Sequence, residues 1–436
     1  MTVPRRGSAG RLVALGLALL CIAGRFLPQG TTLRVSVGPG GAEAVGDMSS
    51  ASALSASGRI VAFSSRANNL VPGHPSTDSD IYVRDFLQEG LTWVSMGLGG
   101  VAGDGDAFDP ALSASGRYVV FDSSSSNLVA GDGNGQTDIF VHDRKTATTT
   151  RVSVSSDGVE SNGYATEPAI SASGRVVAWA SEATNLVPGD GNGQADIFVR
   201  DRTTRRTTRV SVRSDGAESD RYSEEAALSG NGRYVAFGSY ATNLVDDDVN
   251  AEEDVFVHDR TTGRTTRVSV ATGGTQALGG GSAYPSVSAS GRWVAFPSDA
   301  TNLAPDDTNG ESDVFVHDRK TGTTTRVSVG TGGVQATGSG SGTPRLSADG
   351  RYVLFDSYAT NLVANDTNAE RDLFLHDRRK RATIRVSVSS GGLEANDRSF
   401  LPALSRNGRV VSFASDATNL APADTNGYRD VFVRRW

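Results

Sequence analysis

Seven short runs of β-branched, aliphatic and aromatic residues recur without polar alternation: IVAF from Ile60, YVVF from Tyr118, VVAW from Val176, YVAF from Tyr234, WVAF from Trp293, YVLF from Tyr352 and VVSF from Val410. Runs of this kind predict strands covered on both faces. A Gly-Arg turn precedes each, with glycine at Gly58, Gly116, Gly174, Gly232, Gly291, Gly350 and Gly408, at successive spacings of 58, 58, 58, 59, 59 and 58. Within a unit, a segment such as Pro110-Ala111-Leu112-Ser113 comes before the turn. An Asn-Leu loop and an acidic loop follow the apolar run. Then come Ile139-Phe140-Val141-His142, an Asp-Arg step, a Thr-rich turn and Arg151-Val152-Ser153-Val154. Each unit therefore predicts four strands, and no helical period appears beyond the first thirty residues.

Repetition at a fixed period decides architecture before any local detail does. Seven four-stranded units predict an all-β fold, a seven-bladed propeller, whereas a linear solenoid would need atypical caps at its ends. The ends support a ring. The last unit stops at Trp436 without its fourth strand, and an orphan copy of that strand, Leu33-Arg34-Val35-Ser36-Val37, stands before the first unit. Pairing the two completes the seventh blade and leaves no long open edge.

The stretch Ser347-Ala348-Asp349-Gly350-Arg351-Tyr352-Val353-Leu354-Phe355-Asp356-Ser357 resembles the Ser-x-Asp-Gly-Lys/Arg strand motif of TolB-like propeller repeats, which are related to WD-repeat blades. Four other copies read Ser-Ala-Ser-Gly-Arg at the turn. The resemblance covers all seven units and implies the propeller fold. The repeats are longer than TolB's, and seven units stand where that family usually has six. Function has to be argued from the site.

Arg5, Arg6 and Arg11 precede an apolar run from Leu12 to Ala23, the layout of a secretory signal peptide over residues 1–23, with an uncleaved anchor as the alternative. The mature unit would be one domain, residues 24–436. Cleavage removes three arginines and no acid, taking the formal net charge from −7 to −10, and removes Cys21, the one cysteine. An acidic exported chain with three lysines is a poor partner for nucleic acid. The basic run Arg378 to Arg381 reads as a solvated turn, and a monomer is expected.

The acidic loops place oxygen-bearing side chains at alternate positions: Asp132, Asn134, Gln136 and Asp138; Asp190, Asn192, Gln194 and Asp196; Asp248, Asn250, Glu252 and Asp254. The series continues with Asp307, Asn309, Glu311 and Asp313; Asp366, Asn368, Glu370 and Asp372; and Asp424, Asn426 and Asp430. Such spacing suits calcium, which accepts six to eight oxygens. The other reading is a metal-free turn, because Asp, Asn and Gly are what turns require. The first unit, with His74, Ser76, Asp78 and Asp80, has lost the pattern.

His142, His258, His317 and His376 fill one slot in separate units and read as structural strand ends, and the repeated Arg-Val-Ser-Val serines have no attendant base. Departures from the repeat are more informative. Four residues before the serine ending each first strand stand Ala51, Asp109, Glu167, Glu225, Tyr284, Thr343 and Leu401. Three acids and a tyrosine in succession predict an acidic arc where the innermost strands enter the channel, with Phe108, Tyr164, Tyr222 and Phe400 nearby. Solvated loop residues are the plainer reading. As a site, Asp109, Glu167, Glu225 and Tyr284 would receive a cationic peptide, a protein segment or a glycan. Two functional classes follow: a non-catalytic binding propeller at the cell envelope or outside the cell, and a propeller hydrolase or lyase using the same acids.

Overall fold

Side chains that are apolar on both faces of a strand need cover on both sides, and the units supply it to one another by standing in a ring. The computed structural model describes residues 27–74, 77–88 and 90–436, so the expected signal peptide lies outside the described residues. Seven four-stranded antiparallel sheets form the blades of a seven-bladed propeller. Blade 2 is representative: inner strand Ala107–Leu112, second strand Tyr118–Ser123, third strand Asp138–Asp143 and outer strand Thr148–Arg151. The second and third strands carry the core, as Val119, Val120, Phe121, Ile139, Phe140 and Val141 are buried. Phe121 and Phe140 sit opposite each other with ring centroids 5.9 Å apart, and the six other blades repeat the aromatic pair at 5.8 to 6.2 Å.

The periodic Gly-Arg has a steric and an ionic cause. The glycine adopts a left-handed φ near +70°, and a Cβ on Gly58 would stand 2.6 Å from Cβ of Val410 in the preceding blade. Both the turn and the blade contact exclude a side chain. The arginine reaches the third strand of its own blade, as when Arg117 Nε and Nη2 donate to the two carboxylate oxygens of Asp143 at 2.7 and 2.5 Å. The Asp-Arg step thus closes a bidentate pair, and its own arginine, Arg144, donates to Gly116 O at 2.9 Å. Trp436 takes that place in blade 7, donating to Gly408 O at 2.7 Å.

The ring closes as the ragged ends imply, on a strand with earlier bounds. Thr31–Arg34 pairs antiparallel with Arg435 to Phe432, and the Val35 N–H adds a bond to Val431 O at 2.7 Å. The closing strand therefore begins two residues before the expected Leu33. Around the channel, the residue after each inner-strand serine donates its N–H to its counterpart in the next blade. Ala56 bonds Ala114, then Ala172, Gly230, Ala289, Ala348 and Arg406 follow, and Arg406 returns to Ala56, all at 2.9 to 3.2 Å. Seven backbone hydrogen bonds make one closed cycle at the turn face.

Candidate functional site

The acidic loops show how much of the expected pattern is ligand chemistry. Asn134 Oδ1 accepts the Gln136 N–H at 2.9 Å, while its Nδ2 donates to Asp138 Oδ2 at 2.9 Å and Ser161 O at 3.0 Å. Gln136 enters this network through its backbone. Between the two aspartates lies a cation of the protein's own: Arg151 Nη1 is 2.9 Å from Asp132 and 3.1 Å from Asp138, and also meets Glu160. Burial, opposed by that arginine, pushes Asp132 up to about 6.

The other loops repeat the arrangement. Arg209 joins Asp190, Asp196 and Glu218, and Arg385 joins Asp366, Asp372 and Glu394. In blade 7, Arg34 from the closing strand joins Asp424, Asp430 and Glu43. Arg267 serves Asp248 and Asp254, and Arg326 serves Asp307 and Asp313, with Gln276 and Gln335 in the glutamate's place. Asn192, Asn250, Asn309, Asn368 and Asn426 each accept the N–H two residues on, as Asn134 does.

Blade 1 changes the cluster as a unit. Where blade 2 has Asp132, Arg151 and Glu160 it has His74, Trp93 and Ala102. Both ring N–H groups turn to the remaining acid: His74 Nε2 and Trp93 Nε1 are 2.7 and 2.8 Å from the Asp80 carboxylate. Loss of the arginine accompanies loss of two of its three acids. A metal ion would have to share the space with a guanidinium and face an amide N–H, so these residues as arranged fit arginine and not calcium.

The four histidines are strand-end structure, each with Nδ1 2.9 to 3.0 Å from a threonine hydroxyl. Burial holds His258, His317 and His376 down at about 4.

The slot residues share an unexpected backbone. Ala51, Asp109, Glu167, Glu225, Tyr284, Thr343 and Leu401 all have left-handed φ, between +30° and +63°. In blade 3 the pairing jumps from Thr166↔Ala180 to Ala169↔Ala178, so Glu167 and Pro168 oppose one residue of the second strand. This is a bulge, which re-aims a side chain. All seven slot residues line a central cavity of about 560 Å³. The carboxylates then run around its wall: Glu167 Oε2 accepts the Glu225 N–H at 3.0 Å, and Glu225 Oε2 accepts the Tyr284 N–H. The structure brings Asp109, Glu167, Glu225 and Tyr284 to one mouth. Of the aromatic neighbours, Phe400 is buried beneath Arg429, and Tyr222 packs at a tilt against Tyr240 with ring centroids 4.8 Å apart.

Charge is distributed unevenly around this mouth. In blades 6 and 7 the acids are paired: Asp356 with Arg371, and Asp416 with Arg398 and Arg429. In blades 2 to 4 no ion pair is formed by Asp109, Asp122, Glu167, Glu224, Glu225 or Glu253 among the described residues. Burial pushes Asp122 and Glu225 up to about 8 and Glu253 to about 7, with neighbouring carboxylates adding to the shift. Carboxylate oxygens of Glu224, Glu225 and Glu253 lie within 4.8 Å of one another. Gly238 makes the room, since a Cβ there would overlap Glu253 Oε1.

Two arginines went unnoticed in the sequence. Arg345 lines the cavity where other blades carry alanine or serine, and its Nη1 donates to Pro344 O at 3.0 Å. Arg406 occupies the Ala56 slot of blade 7, and a Cβ on Gly230 across the bore would stand 3.0 Å from its Nη2. Its guanidinium reaches across the turn-face end. The available signal was the one used for the acids, a single blade departing from its column.

No family model and no curated protein matches the sequence. Among solved structures, the chain is similar to an oligogalacturonate lyase from Vibrio parahaemolyticus, at 11% identity and a TM-score of 0.55, covering 89% of this chain and 90% of that one. It is similar to the β-propeller domain of the Trilobed protease from Pyrococcus furiosus, at 11% identity and 0.55, covering 89% and 93%. TolB from Acinetobacter baumannii matches at 15% identity and 0.41 over 78% of this chain, which spans 63% of TolB's length. These likenesses are of fold: the chain is a seven-bladed β-propeller.

Proposed function

We propose that this is an exported, non-catalytic propeller, a monomer, that binds a cationic or polyhydroxylated ligand at the long-loop mouth of its channel. Asp109, Glu167, Glu225 and Tyr284 would be its contacts, on a protein, peptide or glycan. The reading rests on one observation: seven left-handed bulges present side chains into a funnel whose acids in blades 2 to 4 form no ion pair among the described residues, Arg345 of blade 6 being the cation that faces Asp109 and Glu225 across it. Strain kept at seven equivalent positions marks a surface under functional constraint, and single-sign charge in a funnel recruits the opposite sign. Among the described residues no helix is long and apolar enough to cross a membrane. The placement at the envelope or beyond follows from the amino-terminal segment.

The test is titration of isotope-labelled protein with tetralysine and with a neutral tetrasaccharide, followed residue by residue. Shifts should cluster at the mouth, and the Asp109→Asn, Glu167→Gln, Glu225→Gln triple variant should bind tetralysine at least tenfold more weakly at low salt. Shifts confined to the opposite face or outer rim, or an unchanged triple variant, would overturn the assignment. A hydrolase or lyase is the second reading, favoured by the adjacency of Asp109 to Asp122, a carboxyl that keeps its proton at neutral pH. Turnover of a probe glycan, abolished by Asp122→Asn with binding retained, would put that reading in place of the first.

A further inference from the structure

A smaller pocket of about 340 Å³ opens at the same mouth, between blades 1 and 2. Its walls include Met48, Ala51, Phe108 and Leu401, and it contains two carboxyls, Asp109 and Asp122. Asp109 is accessible from the funnel, whereas Asp122 is only 6% exposed and its Oδ1 has no hydrogen-bond partner. A buried acceptor without a partner costs the fold free energy. The nearby guanidinium does not relieve it, because Arg66 lies over the Phe108 ring and pairs with Asp106 at 3.0 Å.

We propose that this pocket receives a primary ammonium on an alkyl stem, the side chain of a lysine in a polypeptide, with Asp109 and Asp122 as its acceptors. The proposal rests on the reading of the mouth as the binding site and names the ligand's chemistry there. Apolar walls around two carboxyls match a side chain that is hydrocarbon along its length and charged at its tip. An ammonium is a compact charge with three donors, which a narrow pocket accommodates more readily than a planar five-donor guanidinium. Calcium fits poorly, since it needs six or more oxygens and the hydroxyls of Ser64 and Ser65 are engaged. Ser64 Oγ donates to Ser50 O at 3.2 Å, and Ser65 Oγ is 2.8 Å from Ser49 Oγ. Burial, then the charge of Asp109 and more weakly that of Glu167, keeps Asp122 protonated up to about 8. Capture of an ammonium near neutral pH should therefore expel a proton, while Arg66 stays with Asp106.

The probe is an acetylated and amidated Gly-Gly-Lys-Gly-Gly, whose one charge is the ε-ammonium, with its Nε-acetyl-lysine counterpart as control. Calorimetry should show binding of the lysine peptide with a heat that varies with the buffer's ionisation enthalpy, and at least tenfold weaker binding of the control. Asp122→Asn should weaken binding at least tenfold. Asp122→Ala serves as a second variant, because Ala180 and Ala414 already fill the corresponding positions in blades 3 and 7. Equal binding of the control peptide, or lysine binding unchanged in a folded Asp122 variant, overturns the proposal. If the tetrasaccharide titrates the mouth while the lysine peptide binds nowhere, the pocket assignment falls and the mouth assignment stands; absence of every probe from the mouth removes both.

Discussion

At the scale of single residues, the loops turn on which cation their acids hold. The side chains of Asp132 and Asp138 are 3% and 0% exposed and sit within 3.1 Å of one guanidinium nitrogen. Removing one partner of a buried ion pair leaves the other charge uncompensated, at about 3–5 kcal/mol. Arg151→Met should cost a loss of this order in urea unfolding. Adding Asp132→His, Glu160→Ala and Arg151→Trp together, the composition of blade 1, should recover part of it. Millimolar calcium should leave the wild-type melting temperature where it was, since a ligand stabilises only when the folded state has a place for it. A calcium-dependent rise of several degrees with a resolved binding heat would overturn the arginine assignment. The acids were legible in the sequence and their partner was not. Arg151 lies nineteen residues from Asp132, and only strand pairing makes them neighbours. The trace available was joint variation within the repeat, in which blade 1 loses arginine and acids together.

At the scale of the element, the inner strand shows where sequence reading stops. A six-residue strand with one residue too many reads like a regular one, because the extra residue shows only once the partner's register is known. The position of the slot was legible as a column of departures, and its bulge was not. One signal existed: proline follows the slot at Pro110, Pro168, Pro285, Pro344 and Pro402, and proline cannot donate to a central ladder. Left-handed backbone costs a non-glycine residue about 1–2 kcal/mol, yet glycine appears in none of the seven slots. The side chain there does something that backbone economy does not explain. Ala51→Gly removes only a methyl group at the one slot with nothing longer to present. It should raise the stability by about 0.5–1 kcal/mol, the relief of strain less glycine's greater chain entropy. A lower urea midpoint for this variant would mean that the bulge is not strained and that its recurrence needs no function.

At the scale of the molecule, closure is one strand thick. It was legible because both ends of the chain were ragged in complementary ways, which no local propensity could have told. Residues Thr31–Arg34 supply the outer strand of blade 7, and Arg34 supplies the only guanidinium pairing Asp424 and Asp430 among the described residues. Thr32 Oγ1 also donates to Val388 O of blade 6 at 2.6 Å. Deleting residues 24–40 from the mature chain would bare the third strand of blade 7 and strand two buried acids, for about 3–5 kcal/mol from the charges alone. The loss should not stay local. The seven amides that bond blade to blade at the turn face form a cycle, so opening the seam between blades 7 and 1 frees Arg406 from Ala56 and with it the constraint on the other six. In the intact protein Ala56, Ala114, Ala172, Gly230, Ala289, Ala348 and Arg406 should exchange their amide hydrogens at similar slow rates, set by global opening. In the truncated protein all seven should exchange faster together, and a synthetic peptide covering residues 27–41, added in trans, should restore both the protection and the melting temperature. Fast exchange confined to blade 7, with the other blades protected as before, would show that the blades hold their ring without the closing strand.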